Sequence, residues 1–133
     1  MIKIVVLISG NGSNLQAIID NCLTKNLDAY PTLVVSNRED AYGLVRAKKS
    51  NIPVFTLEYK DSKFKNRSEY DKSLISFINK FDYDLIVLAG WMRILTDYFL
   101  SKVKSPIINL HPALPGQFPG KNPVYDAWKS YKE

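Results

Sequence analysis

With 133 residues, 46% of them hydrophobic and 12% aromatic, the chain is long enough for one domain with a true core and too short for two. Its formal charge of +5 suits anionic ligands, yet the lysines are scattered, Lys48-Lys49 is the only adjacent basic pair, and no zinc-ligand spacing occurs, so neither nucleic acid nor a metal is expected. No apolar run approaches eighteen residues, no cleavage pattern follows the apolar start, and the single cysteine, Cys22, allows no internal disulfide; the expectation is one cytoplasmic domain over residues 1–133, away from membranes.

Ile2 to Ile8 is a near-continuous β-branched run, suited to a parallel strand covered on both faces. Leu15, Ile18, Ile19, Cys22 and Leu23 recur at helical spacing and predict a helix from about Asn14 to Thr24. Pro31 to Ser36 reads as a second strand. A helix from Glu39 to Lys49 follows, with Leu44, Val45 and Ala47 facing inward and Asn51 marking its end. Pro53 to Leu57 is a short third strand. The polar segment from Glu58 to Asn66 reads as a loop, with Asp61 and Ser62 as caps for the next helix, Arg67 to Lys80. Tyr70, Leu74, Phe77, Ile78 and Phe81 line one side of that helix. Asp84 to Ala89 is the fourth strand, ending at Gly90. Thr96 is an N-cap for a short helix through Phe99 and Val103. Ser105 to Asn109 is the fifth strand, and Asn122 with Pro123 opens a last helix through Trp128.

This alternation predicts an α/β fold, a three-layer, Rossmann-like parallel sheet in the order 3-2-1-4-5. In that order the loops after strands one, four and five meet at one edge. The chain ends in Lys129-Ser130-Tyr131-Lys132-Glu133, with neither a glycine cap nor a closing strand, and reads as the first part of something longer. A fifth strand at the sheet edge invites a covering strand or a partner chain, which leaves a homo-oligomer open.

Three motifs fall on those loops. Ser9-Gly10-Asn11-Gly12-Ser13-Asn14 joins strand to helix; two glycines let the backbone approach a ligand, and Ser13 and Asn14 set N–H donors at a helix N-terminus, where a phosphate binds. It is not the dinucleotide fingerprint, because Leu15 holds the third glycine's place, and no Gly-Lys-Ser/Thr follows. Trp91, Met92, Ile94 and Leu95 form an apolar wall suited to a flat heteroaromatic ligand, or pack the loop onto the next helix. Arg67 and Arg93 are candidates for carboxylate or phosphate contacts, or solvated surface residues. The third motif, Asn109-Leu110-His111-Pro112-Ala113-Leu114-Pro115-Gly116, holds the only histidine, which position alone would equally explain as a surface turn. With no nucleophilic Ser or Cys beside it, direct transfer between two bound substrates remains: the imidazole moves a proton and the Asn109 amide donates to an oxyanion.

Taken together, residues 8–18, residues 88–95 and Asn109-Leu110-His111-Pro112-Ala113-Leu114 closely resemble the phosphoribosylglycinamide formyltransferases, folate-dependent enzymes of purine biosynthesis. The resemblance implies transfer of a formyl group from 10-formyltetrahydrofolate to the amine of 5′-phosphoribosylglycinamide. It assigns Gly12, Ser13 and Asn14 to the substrate phosphate and Arg67, Met92, Arg93, Ile94 and Leu95 to the folate and substrate pocket. Asn109 and His111 become the catalytic pair, and no metal is implied. Two departures stand out. Pro115-Gly116 replaces the Leu-Pro that many members carry, and the family's catalytic aspartate would lie beyond Glu133. Transfer is therefore expected to be weak or absent unless the missing segment is supplied. Two other readings stay open: a domain that binds a phosphorylated metabolite or partner chain without turnover, and a related folate-dependent formyltransferase or hydrolase.

Overall fold

The computed structural model describes residues 1–60 and 62–110; Asp61, His111 and the expected last helix lie outside them. Among the described residues five parallel strands alternate with four helices: β1 (Ile2–Ile8), α1 (Ser13–Leu23), β2 (Ala29–Ser36), α2 (Tyr42–Lys49), β3 (Val54–Thr56), α3 (Arg67–Ile78), β4 (Leu85–Ala89), α4 (Asp97–Lys102) and β5 (Ile107–Leu110). The strand order is β3-β2-β1-β4-β5, as the alternation predicts.

Side chains of successive strand residues point to opposite faces, so β1 supplies two cores at once. Ile4, Val6 and Ile8 pack with Leu15, Ile18 and Ile19 of α1 and Leu44 and Ala47 of α2. Val5 and Leu7 pack with Tyr70, Leu74, Ile75 and Ile78 of α3 and Phe99 of α4. Burial on both faces is why β1 is apolar without alternation. The β1–β2 register slips between Ile4 and Val5, opposite Pro31 and Leu33. Pro31 has no N–H for the ladder, and the Thr32 hydroxyl donates instead to the Ile4 carbonyl at 3.3 Å.

Several boundaries differ from the sequence expectation. α2 starts at Tyr42 because the chain first makes a tight turn: the Arg38 N–H donates to Ser36 Oγ at 3.0 Å, and the Arg38 guanidinium grips the Asp40 carboxylate through Nε and Nη2. Val45 faces solvent; Gly43, Leu44 and Ala47 face in. The cap of α3 is Asn66, whose side chain accepts the Glu69 N–H at 2.9 Å while Glu69 accepts the Lys65 N–H at 2.6 Å. Ser62 is exposed and caps nothing on α3. Thr96 does cap α4.

Candidate active site

β1 delivers residues 9–12 to the carboxyl end of the sheet, and α1 starts immediately. Gly12 is its N-cap, at φ +80° in the left-handed region, and no side chain caps the helix. The first N–H groups of α1 are thus left for a ligand. Gly12 also lies against Gly43 of α2: a Cβ on Gly12 would sit 2.6 Å from the Gly43 Cα, and one on Gly43 would sit 2.3 Å from Ile8 Cδ1. Two facing glycines bring the turn and α2 into backbone contact.

A cavity of about 580 Å³ opens over this turn, walled by residues 9–14, by Asn37 and Arg38 after β2, and by Ala89, Gly90 and Met92 after β4. A second, of about 530 Å³, is walled by Leu88, by residues 90–95 and by Asn109 and Leu110 of β5. Gly90 and Met92 border both, so the two adjoin. Leu88 pairs with Asn109 in the register, and Asn109 shares a face with Ile107, which packs on the α3–α4 side of the sheet. That alternation puts Asn109 at the mouth of the second cavity.

The segment after β4 is pinned at both ends. Its Met92 N–H donates to Ser9 Oγ at 2.9 Å, which ties it to the β1–α1 turn. The Thr96 N–H and hydroxyl donate to one oxygen of Asp71, at 2.8 and 2.7 Å, and Asp71 is only 1% exposed. Between these anchors Met92 and Ile94 are 81% and 76% exposed, apolar side chains held out at the cavity edge. Trp91 turns the other way and joins the α3–α4 core.

Arg93 lies over the rings of Tyr70 and Tyr59, 4.1 and 4.8 Å from their centroids. Among the described residues its buried Nε and Nη2 have no hydrogen-bond partner, which leaves donors unmatched at this point of the cavity wall. Burial pushes the Tyr70 phenol well above its usual range, which keeps it neutral; its hydroxyl donates to the Leu57 carbonyl.

Gly12, Ser13 and Asn14 therefore meet Met92 across the first cavity, and Met92, Arg93, Ile94, Leu95 and Asn109 line the second. Arg67, exposed at the first position of α3, lines neither. His111 follows Leu110 in sequence, outside the described residues. Sequence reasoning placed Ser9 in the glycine turn without a role of its own and passed over Gly43 and Asp71. A glycine inside a helical pattern and an aspartate within the stripe of Tyr70 and Leu74 were signals for the last two. Among the described residues no group of three or more His, Cys, Asp or Glu could hold a metal ion, and no helix is long and apolar enough to cross a membrane.

Residues 2–132 match the family model for formyl transferases. The phosphoribosylglycinamide formyltransferase of Dictyostelium discoideum is 50% identical in a match covering 98% of this chain and 69% of its own length. That of Escherichia coli is 48% identical over 89% of this chain and 55% of its own length. A solved structure, glycinamide ribonucleotide transformylase 1 from Symbiobacterium toebii, superimposes with a TM-score of 0.79 at 35% identity, covering 98% of this chain and 60% of that one. The chain thus spans little more than half to about two thirds of the length of these relatives. A family match over nearly every residue, on a parallel sheet where the segments after β1 and β4 and the end of β5 line two adjoining cavities, places this chain in the formyl transferase family.

Proposed function

We propose that the chain carries formyl transfer from 10-formyltetrahydrofolate to the amine of 5′-phosphoribosylglycinamide, a step of purine biosynthesis. The observation that carries the reading is the pair of adjoining cavities: a helix start without a side-chain cap lines one, an apolar wall and the Asn109 amide the other, and Gly90 and Met92 belong to both. Two substrates held side by side gain effective concentration without a covalent enzyme intermediate.

In this reading Gly12, Ser13 and Asn14 hold the 5′-phosphate on the N–H groups of α1. The flat folate ring lies on Met92, Ile94 and Leu95, and the spare Arg93 donors take an anionic oxygen. The substrate amine attacks the formyl carbon, forming a C–N bond and a tetrahedral oxyanion. The Asn109 amide N–H donates to that oxygen, whose charge exists only in the intermediate and its flanking transition states. His111 accepts the proton lost by the amine and returns it to the folate nitrogen as the old C–N bond breaks, leaving tetrahydrofolate.

Calorimetry with phosphoribosylglycinamide, with its dephosphorylated riboside and with 10-formyltetrahydrofolate, followed by a product assay on the mixture, tests the reading. Each substrate should bind alone, the riboside far more weakly, and mixing should yield the N-formyl product at a low rate. Binding without product would reduce the chain to a ligand-holding domain, and binding of neither substrate would refute the proposal.

A further inference from the structure

The β1–α1 turn is gripped from behind by α2, and the grip fixes the direction of its peptide groups. The Gly43 N–H donates to the Gly10 carbonyl at 3.1 Å. Arg46, one helical turn on, donates through Nε to the Asn11 carbonyl at 2.9 Å and through Nη2 to Asn11 Oδ1 at 2.7 Å. Its Nη1 reaches Gln16 Oε1 at 3.3 Å, and its guanidinium lies 4.9 Å from the centroid of the Tyr42 ring. Three acceptors and an aromatic face thus occupy one guanidinium, which joins α2 to both the turn and α1.

None of the described peptide bonds is cis. In a trans peptide, the carbonyl of one residue and the N–H of the next point in opposite directions. Drawing the carbonyls of Gly10 and Asn11 toward α2 therefore turns the N–H groups of Asn11 and Gly12 away from it. No residue of α2 borders the 580 Å³ cavity, whereas residues 9–14 all do. The two N–H groups so aimed run on into the uncapped N–H groups of α1, past a left-handed Gly12, which is the backbone arrangement of an anion nest. Released from α2, either peptide could turn over and present its carbonyl oxygen to the anion, replacing attraction by repulsion.

We infer that Arg46, with the Gly43 N–H, is a positioning residue for the anion site: it holds the β1–α1 turn in its phosphate-accepting form without touching the phosphate. The inference rests on the proposed reading of that turn as a phosphate site. It requires the geometry of the guanidinium fork, not merely a positive charge, because one ammonium cannot span the two Asn11 oxygens and Gln16 in a plane.

The test compares wild-type chain with Arg46→Met and Arg46→Lys. Calorimetry gives the affinity of each for phosphoribosylglycinamide, for the dephosphorylated riboside and for 10-formyltetrahydrofolate, and thermal unfolding checks the fold. Both variants should lose about tenfold of the preference for the phosphorylated ligand, in line with the loss of charge-assisted hydrogen bonds, while folate affinity stays unchanged. The ligand-induced shift of the Gly12 amide resonance should shrink with it. An unchanged preference in Arg46→Met overturns the inference. So does full preference in Arg46→Lys, which would make charge alone sufficient, and so does a parallel loss of folate affinity, which would mean general loosening. A wild-type chain with no preference for the phosphorylated ligand fails differently: it removes the phosphate reading itself and this inference with it.

Discussion

Replacing Gly12 with alanine perturbs the anion turn where the fold leaves least room. Gly12 stands at φ +80°, a region that costs an ordinary L-residue about 1 kcal/mol. The new Cβ would also meet the Gly43 Cα at 2.6 Å, a backbone atom that cannot step aside alone. Moving α2 outward by roughly 1 Å to restore contact would stretch the Gly43–Gly10 hydrogen bond past its useful range. Overpacking of this kind costs about 1–3 kcal/mol, so the sum is about 2–4 kcal/mol. Urea denaturation of Gly12→Ala beside Gly10→Ala and Gly90→Ala separates the two causes. A Cβ at Gly10 meets nothing within 4 Å and that residue has no positive φ, so Gly10→Ala should stay within about 0.5 kcal/mol of wild type. Gly90 shares the φ of +80° but has open space around it, so Gly90→Ala should cost about 1 kcal/mol. A Gly12→Ala cost no larger than that of Gly90→Ala would refute the idea that α2 is pressed against the turn.

Asp71→Ala leaves the Thr96 N–H and hydroxyl without their acceptor and should cost about 2–3 kcal/mol by denaturation, less in Asp71→Asn, which keeps an oxygen. In a double-mutant cycle with Thr96→Val the two losses should not add; additive losses would show that the pair does not anchor the β4–α4 segment. Asn109→Ala should lower kcat by about 10²–10³ with phosphoribosylglycinamide affinity unchanged, since in the proposed reaction the amide meets charge only as the oxyanion forms. A fall in affinity with kcat intact would move Asn109 to ground-state binding. Burial pushes the Cys22 thiol up to about 11, so the neutral form is favoured in the fold and the thiolate is scarce below that pH. Alkylation by iodoacetamide at pH 8 should be at least about tenfold slower than in urea-unfolded chain and should climb as pH approaches 11. Equal rates in folded and unfolded chain would contradict it.

Much of this framework was legible in the residues. The unbroken apolar run of Ile2 to Ile8 and the period of Leu15, Ile18 and Ile19 give strand and helix within a residue or so. Thr96 was readable as a cap because a side-chain oxygen next to a helical period has a local job. Asn66 was readable too, with Glu69 three residues on, but the acidic and hydroxyl residues before it drew attention first. What failed had one local cause and one distant one. α2 begins late because Ser36, Arg38 and Asp40 form a turn of their own. Val45 is exposed because the inward face of α2 is set by Gly43, whose missing side chain admits Ile8 and Gly12.

Sequence alone determined the order of strands and helices, the parallel sheet and the places of the segments after β1 and β4, because periodicity and turn residues act over a few neighbours. It could not show that Gly43 and Arg46 orient the peptides of a turn more than thirty residues away. Nor could it show that Ser9 and Asp71 hold the two ends of the segment after β4. Those links are made by side chains and backbone atoms that meet only once the sheet has brought β1, β2 and β4 side by side. Only the tertiary structure joins the cavity over α1 to the one beside Asn109, since their shared wall at Gly90 and Met92 exists by packing.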